Sequence, residues 1–119
     1  MGREDNELIT LVEWINWQAN KDPRFSLIYH VANERKTSWA AGKRLKAKGV
    51  RRGVPDICVP IPSGDYHGLY IEMKIKPNSL TPEQVLFCTG LREQRYAVYI
   101  AWSAAEAIDI IRGYLCYSD

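Results

Sequence analysis

Near the start of the chain the apolar positions Leu8, Leu11, Val12 and Ile15 recur at i, i+3, i+4 and i+7, which predicts an amphipathic helix over residues 4–19. At about 100° per residue, Glu4 falls within about 30° of the centre of this stripe and Glu7 about 90° away, while Trp14 and Trp17 lie off it. An acid therefore faces the core side, and two tryptophans face elsewhere, toward either a partner or a second packing face against the C-terminal helix. "FSLIYHVAN" (25–33) predicts a strand, and the basic stretch after it, a helix or a loop over Trp39 through Lys46, ends at Gly49. Asp56-Ile57-Cys58-Val59, between Pro55 and Pro60, reads as a short strand. The Pro- and Gly-dense "PIPSGDYHG" joins it to an antiparallel neighbour. That neighbour, Leu69 to Ile75, alternates with Leu69, Ile71 and Met73 on one face and Tyr70, Glu72 and Lys74 on the other.

Thr81, Pro82 and Gln84 form a helix start, with an N-cap, a proline at the first helical position and the capping-box partner three residues after the cap; the helix should run to about Gln94. "YAVYIAW" (96–102) is too short and too β-branched for a helix and predicts a buried strand, and Ser103 with Glu106 opens a last helix to about Tyr114. The order α, β, basic segment, β, β, α, β, α predicts one α/β domain over residues 1–119, with a central mixed sheet flanked by helices.

The composition, 119 residues with 46% apolar and 25% charged, suits a single globular domain and excludes disorder along its whole length. Cys58, Cys88 and Cys116 are odd in number and in no CxxC or Cys/His pattern, as expected of reduced thiols in a cytosolic protein. The polar opening "MGREDNELIT" has no signal-like apolar region and no run approaches a membrane span, so the expectation is a cytoplasmic protein with no membrane partner.

The net charge of +2 conceals a strong asymmetry. Arg35, Lys36, Lys43, Arg44, Lys46, Lys48, Arg51 and Arg52 hold half of the 16 basic residues, with no acid among them. Such a segment is either a solvated face or a phosphate-binding surface.

Immediately downstream stand Asp56, Glu72 and Lys74. Separately they read as a turn aspartate and an exposed strand pair. Taken together they belong to two strands predicted to be neighbours, roughly 4.8 Å apart, so their heads can converge. Two carboxylates side by side repel. A hard divalent cation, Mg²⁺ or Mn²⁺, relieves the repulsion and keeps waters that a phosphate can displace. The adjacent ammonium can orient such a water or stabilise charge on a phosphate.

Pro55-Asp56, followed sixteen residues later by Glu72-Met73-Lys74, resembles the PD-(D/E)xK nuclease signature. With "YHVANE", "GKRLKAKGVRRGVPDICVP", "HGLYIEMK" and the run from Leu80 to Leu115, the chain is similar over nearly its whole length to the virus-type replication-repair nuclease (VRR-NUC) domain, in its stand-alone phage or prophage form. The resemblance implies a restriction-endonuclease-like core and a metal held by Asp56, Glu72 and the backbone carbonyl of Met73, with Lys74 serving the attacking water. It matches Glu4 to the family's first-helix acid, with Glu7 the alternative, and Gln84 to the family's glutamine on the helix after the ExK strand, where the capping box is the other reading. His30 and Asn33 match a family H-x-P-N pattern, but Ala32 replaces its proline. A lone histidine is more often structural, and His30 is left out of the catalytic set.

The function implied is a Mg²⁺- or Mn²⁺-dependent DNA endonuclease, sequence-tolerant because phosphate contacts position a nucleic acid without reading it. The family's kinship with junction resolvases points to branched DNA and a homodimer. A non-cleaving DNA-binding module of the same fold is the alternative. The intact Asp56, Glu72 and Lys74 stand against it, since a pure binder gains phosphate affinity from neutral residues there.

Overall fold

Helix α1 (Arg3–Gln18) buries Leu11, Ile15 and Gln18 on the face that the periodicity marks out. The computed structural model describes residues 2–32 and 38–116. After α1 the chain turns into a 3-10 segment, Pro23–Leu27, where the sequence pattern predicts a strand from residue 25 onward. The local chemistry explains the difference. Asp22 accepts the Arg24 N–H as an N-cap and Pro23 is pre-set for a helical turn, so the segment coils before its β-branched residues can extend it. The Arg24 guanidinium, bonded to Asp22 at 2.7 Å, holds that carboxyl below the usual range.

Among the described residues of the expected strand, Tyr29–His30 pairs into the sheet, as β1. Helix α2 (Trp39–Ala47) follows, capped by Ser38, then β2 (Ile57–Val59), β3 (Leu69–Met73), α3 (Pro82–Glu93), β4 (Ala97–Ala101) and α4 (Ala104–Leu115). The sheet order is β1-β2-β3-β4, antiparallel except for the parallel β3–β4 pair that α3 connects. Strand β3 ends at Met73, two residues before its predicted end, although the Lys74 N–H still bonds to the Ala101 carbonyl.

Ile57, Val59, Leu69, Ile71, Met73, Ala97 and Ala101 pack on one face of the sheet with Leu11 and Ile15 of α1 and Ala107 and Ile111 of α4. Alternation sends Tyr70 and Glu72 to the other face, where α3 lies and where Gln84 meets Glu72. The apolar run of β4 predicts a buried strand, and Ala97, Val98 and Ala101 are buried although the strand lies at the sheet edge. Tyr99 alone of its five residues is exposed there.

Trp14 takes the packing role, one of the two readings open to it. Its ring packs edge-on against Phe25 at 5.5 Å, against the main core, because the 3-10 segment folds back on α1 and supplies a second packing face. It is half-buried, and the 3-10 segment forms part of the face it packs on. Trp17 is 63% exposed. No helix among the described residues is long and apolar enough to cross a membrane.

Candidate active site

The approach to Asp56 is held by a glycine with no alternative. Gly53 has φ +87, and a Cβ there would lie 2.4 Å from the Glu83 carbonyl oxygen, so the backbone before Pro55 is pressed against the first turn of α3. Pro55 is fully buried, and Asp56 emerges only 6% exposed at the start of β2. Its carbonyl accepts the Val31 N–H at 2.7 Å and faces His30 Nδ1 at 3.0 Å. His30 therefore braces the Asp56 backbone from β1, a structural position. Asn33, Arg35 and Lys36 lie outside the described residues.

The Asp56 side chain reaches across to β3, where Oδ2 accepts the Met73 N–H at 2.8 Å. This bond places the carboxylate against the residue between Glu72 and Lys74. Glu72 is 1% exposed and Lys74 5%, with Lys74 Nζ 3.9 Å from Glu72 Oε2. That separation is too long for a hydrogen bond, and a buried ion pair without ideal geometry contributes little to stability. The fold keeps a costly pair here.

Gln84 completes the group and serves two ends at once. Its backbone N–H donates to Thr81 Oγ1 and its Oε1 accepts the Thr81 N–H, closing the capping box at the start of α3. Its Nε2 donates to Glu72 Oε2 at 3.1 Å. The cap and the site contact, two readings of this residue from sequence, coexist.

Lys74 and Gln84 line an open cleft of about 1250 Å³, which Asp56 and Glu72 do not line themselves, Glu72 being joined to it through its contacts with both. That volume exceeds the roughly 300–1,000 Å³ of small-molecule pockets and suits a polymer. Lys43, Lys46, Arg51 and Arg52 line its wall, whereas Arg44 and Lys48, also exposed, lie outside it.

The donor set suits a hard cation. Asp56, Glu72 and the Met73 carbonyl offer oxygen alone, and Mg²⁺ commonly takes only one or two carboxylates and keeps its waters. The nearby Cys88 thiol is pushed above its usual range, chiefly by burial, with Arg92 opposing and Glu72 adding to the rise, so it stays protonated. Among the described residues no three His, Cys, Asp or Glu side chains gather, so the first-helix acids do not join the pair. Glu7 instead accepts the Ala104 N–H at 2.9 Å and caps α4, while Glu4 lies half-buried in the first turn of α1.

The sequence model of the VRR-NUC domain matches residues 3–105. The chain belongs to the VRR-NUC domain family. A solved structure of a VRR-NUC domain protein resembles it with a TM-score of 0.79 at 28% sequence identity, covering 100% of this chain and 93% of that one. No curated protein sequence matches it. The VRR-NUC domain described here is thus a nuclease-family domain on an α/β core, a mixed sheet flanked by helices. Two features of it escape a reading for charged residues alone. Gly53 is signalled only as a glycine ahead of a fixed proline, and Trp39 only as an aromatic residue inside a basic run.

Proposed function

We propose that this domain is a metal-dependent, structure-selective DNA endonuclease that hydrolyses phosphodiester bonds in branched DNA such as four-way junctions, acting as a homodimer. The observation that carries the reading is the linkage of Asp56 and Glu72, through Met73, Lys74 and Gln84, to a cleft that Lys74 and Gln84 line together with exposed cations.

Asp56, Glu72 and the Met73 carbonyl would hold Mg²⁺ or Mn²⁺. When bound, the ion supplies Lewis-acid polarisation of a phosphoryl oxygen and acidifies a water. Lys74 stabilises negative charge as it grows on the phosphate, in a buried setting where a fixed charge counts for more than in water. Gln84 positions Glu72. In the reaction the water oxygen bonds to phosphorus and the bond from phosphorus to the leaving sugar oxygen breaks; one water proton passes to solvent and the leaving oxygen is protonated. Lys43, Lys46, Arg51 and Arg52, with Arg44 and Lys48 beyond the cleft and Arg35 and Lys36 upstream, hold flanking phosphates without reading bases. One chain supplies one site, and symmetric incision of a junction needs two, which a two-fold axis provides.

The test is incubation with linear, flap, splayed and four-way DNA in Mg²⁺, Mn²⁺ or EDTA. The reading expects cleavage of branched DNA with either metal and none in EDTA. Tight binding without cleavage in any metal would leave the non-cleaving module in its place.

A further inference from the structure

Trp39 is 80% exposed, more than any other large apolar residue among those described. It opens α2 directly after the Ser38 cap and lines the same cleft as Lys74 and Gln84. One turn later on the same helix face, Lys43 Nζ sits 5.0 Å from its ring centroid. An indole held in water gains nothing from a phosphate, and paired, stacked bases keep their faces to themselves. A flat electron-rich surface among phosphate-binding cations does match one ligand chemistry, an unstacked nucleobase whose neighbouring phosphates the cations hold. Lys43 covers one ring face at most, so the ring can still stack. The charge around it, Lys43, Lys46, Arg51 and Arg52, favours a polyanion over an apolar protein surface.

We propose that Trp39 stacks on an unpaired base of the DNA in this cleft, so that the wall beside Lys74 and Gln84 selects strands with unstacked nucleotides. The inference rests on the nuclease reading for the identity of the ligand. It adds a source of structure selectivity that phosphate contacts cannot supply, because stacking needs a base free of its duplex and is indifferent to which base it is.

The full chain in EDTA, with fluorescently labelled oligo-dT and a mixed-sequence duplex of the same length, tests this by anisotropy. Trp39→Ala should weaken oligo-dT binding about tenfold or more, the range set by removal of one base–aromatic stack, and duplex binding by about twofold or less. Trp39→Phe should keep most of the oligo-dT affinity yet lose the larger part of the indole quenching that oligo-dT causes in the unaltered protein. Equal losses on both DNAs, no loss on either, absence of oligo-dT binding by the unaltered protein, or a fall in mass by light scattering in Trp39→Ala would each overturn the proposal, the last by assigning this wall to a protein partner. Metal-dependent cleavage alongside normal oligo-dT binding by Trp39→Ala would remove the stacking role and leave the nuclease reading intact. The predicted Trp39 signature in a protein that cuts no DNA would do the reverse.

Discussion

Gln84 donates to Glu72 at 3.1 Å with the same side chain whose Oε1 caps the Thr81 N–H at 2.9 Å, so the start of α3 and the candidate metal carboxylate are fixed by one residue. Gln84→Met removes both bonds at similar volume. It should cost about 1–3 kcal/mol in urea unfolding, since one of the two bonds is to a charged group. Cleavage should fall less than in Glu72→Gln, because Gln84 acts through Glu72. A drop in cleavage as deep as that of Glu72→Gln, with unchanged stability, would place Gln84 on the substrate instead.

Gly53→Ala tests the other support. The φ of +87 and the 2.4 Å approach to the Glu83 carbonyl leave no room for a methyl group without moving the segment that delivers Asp56. Destabilisation of about 2 kcal/mol or more is expected in thermal unfolding, with cleavage reduced even where the protein is fully folded. Gly49 also has positive φ, +99, but nothing lies within 4 Å of its absent Cβ, so Gly49→Ala should be milder.

These two residues illustrate what was legible in the sequence. The strands that carry Asp56 and Glu72, the capping box of α3 and the face shared by Glu72 and Lys74 all follow from short-range rules of alternation and capping. The 3-10 segment was missed because Asp22-Pro23 starts a turn that outweighs the β-branched residues after it. The packing of Trp14 stays open in the sequence because Phe25, which it meets, reaches it only through that turn. The exposure of Tyr99 depends on which strand lies at the edge, a property of sheet order that an apolar run cannot report.

The cationic wall should be visible in the salt dependence. Replacing Lys43, Lys46, Arg51 and Arg52 with alanine should weaken duplex binding irrespective of sequence and flatten the log-log salt slope by about 0.9 for each phosphate interaction removed. All four are exposed, so unfolding should change little. An unaltered salt slope would make this wall a solvated face.

The two off-stripe tryptophans test the proposed dimer and the core separately. Trp17→Glu should lower the solution mass from twice 13.7 kDa toward 13.7 kDa by light scattering, and should leave thermal stability of the single chain nearly unchanged. Trp14→Ala should instead cost about 1–3 kcal/mol, because it removes the packing of the indole against Phe25. A dimeric Trp17→Glu variant would move the interface away from α1.

The central claim is that Asp56 and Glu72 hold a divalent cation that hydrolysis requires. Asp56→Asn keeps an oxygen to accept the Met73 N–H and removes the charge, so folding should survive while chemistry fails. The most direct measurement is the single-turnover rate of four-way junction cleavage by the unaltered protein and by Asp56→Asn, each in Mg²⁺, Mn²⁺ and EDTA. The predicted result is cleavage that depends on metal and slows by about a hundredfold or more in the variant. Cleavage by Asp56→Asn at the unaltered rate, or cleavage that persists in EDTA, would contradict it.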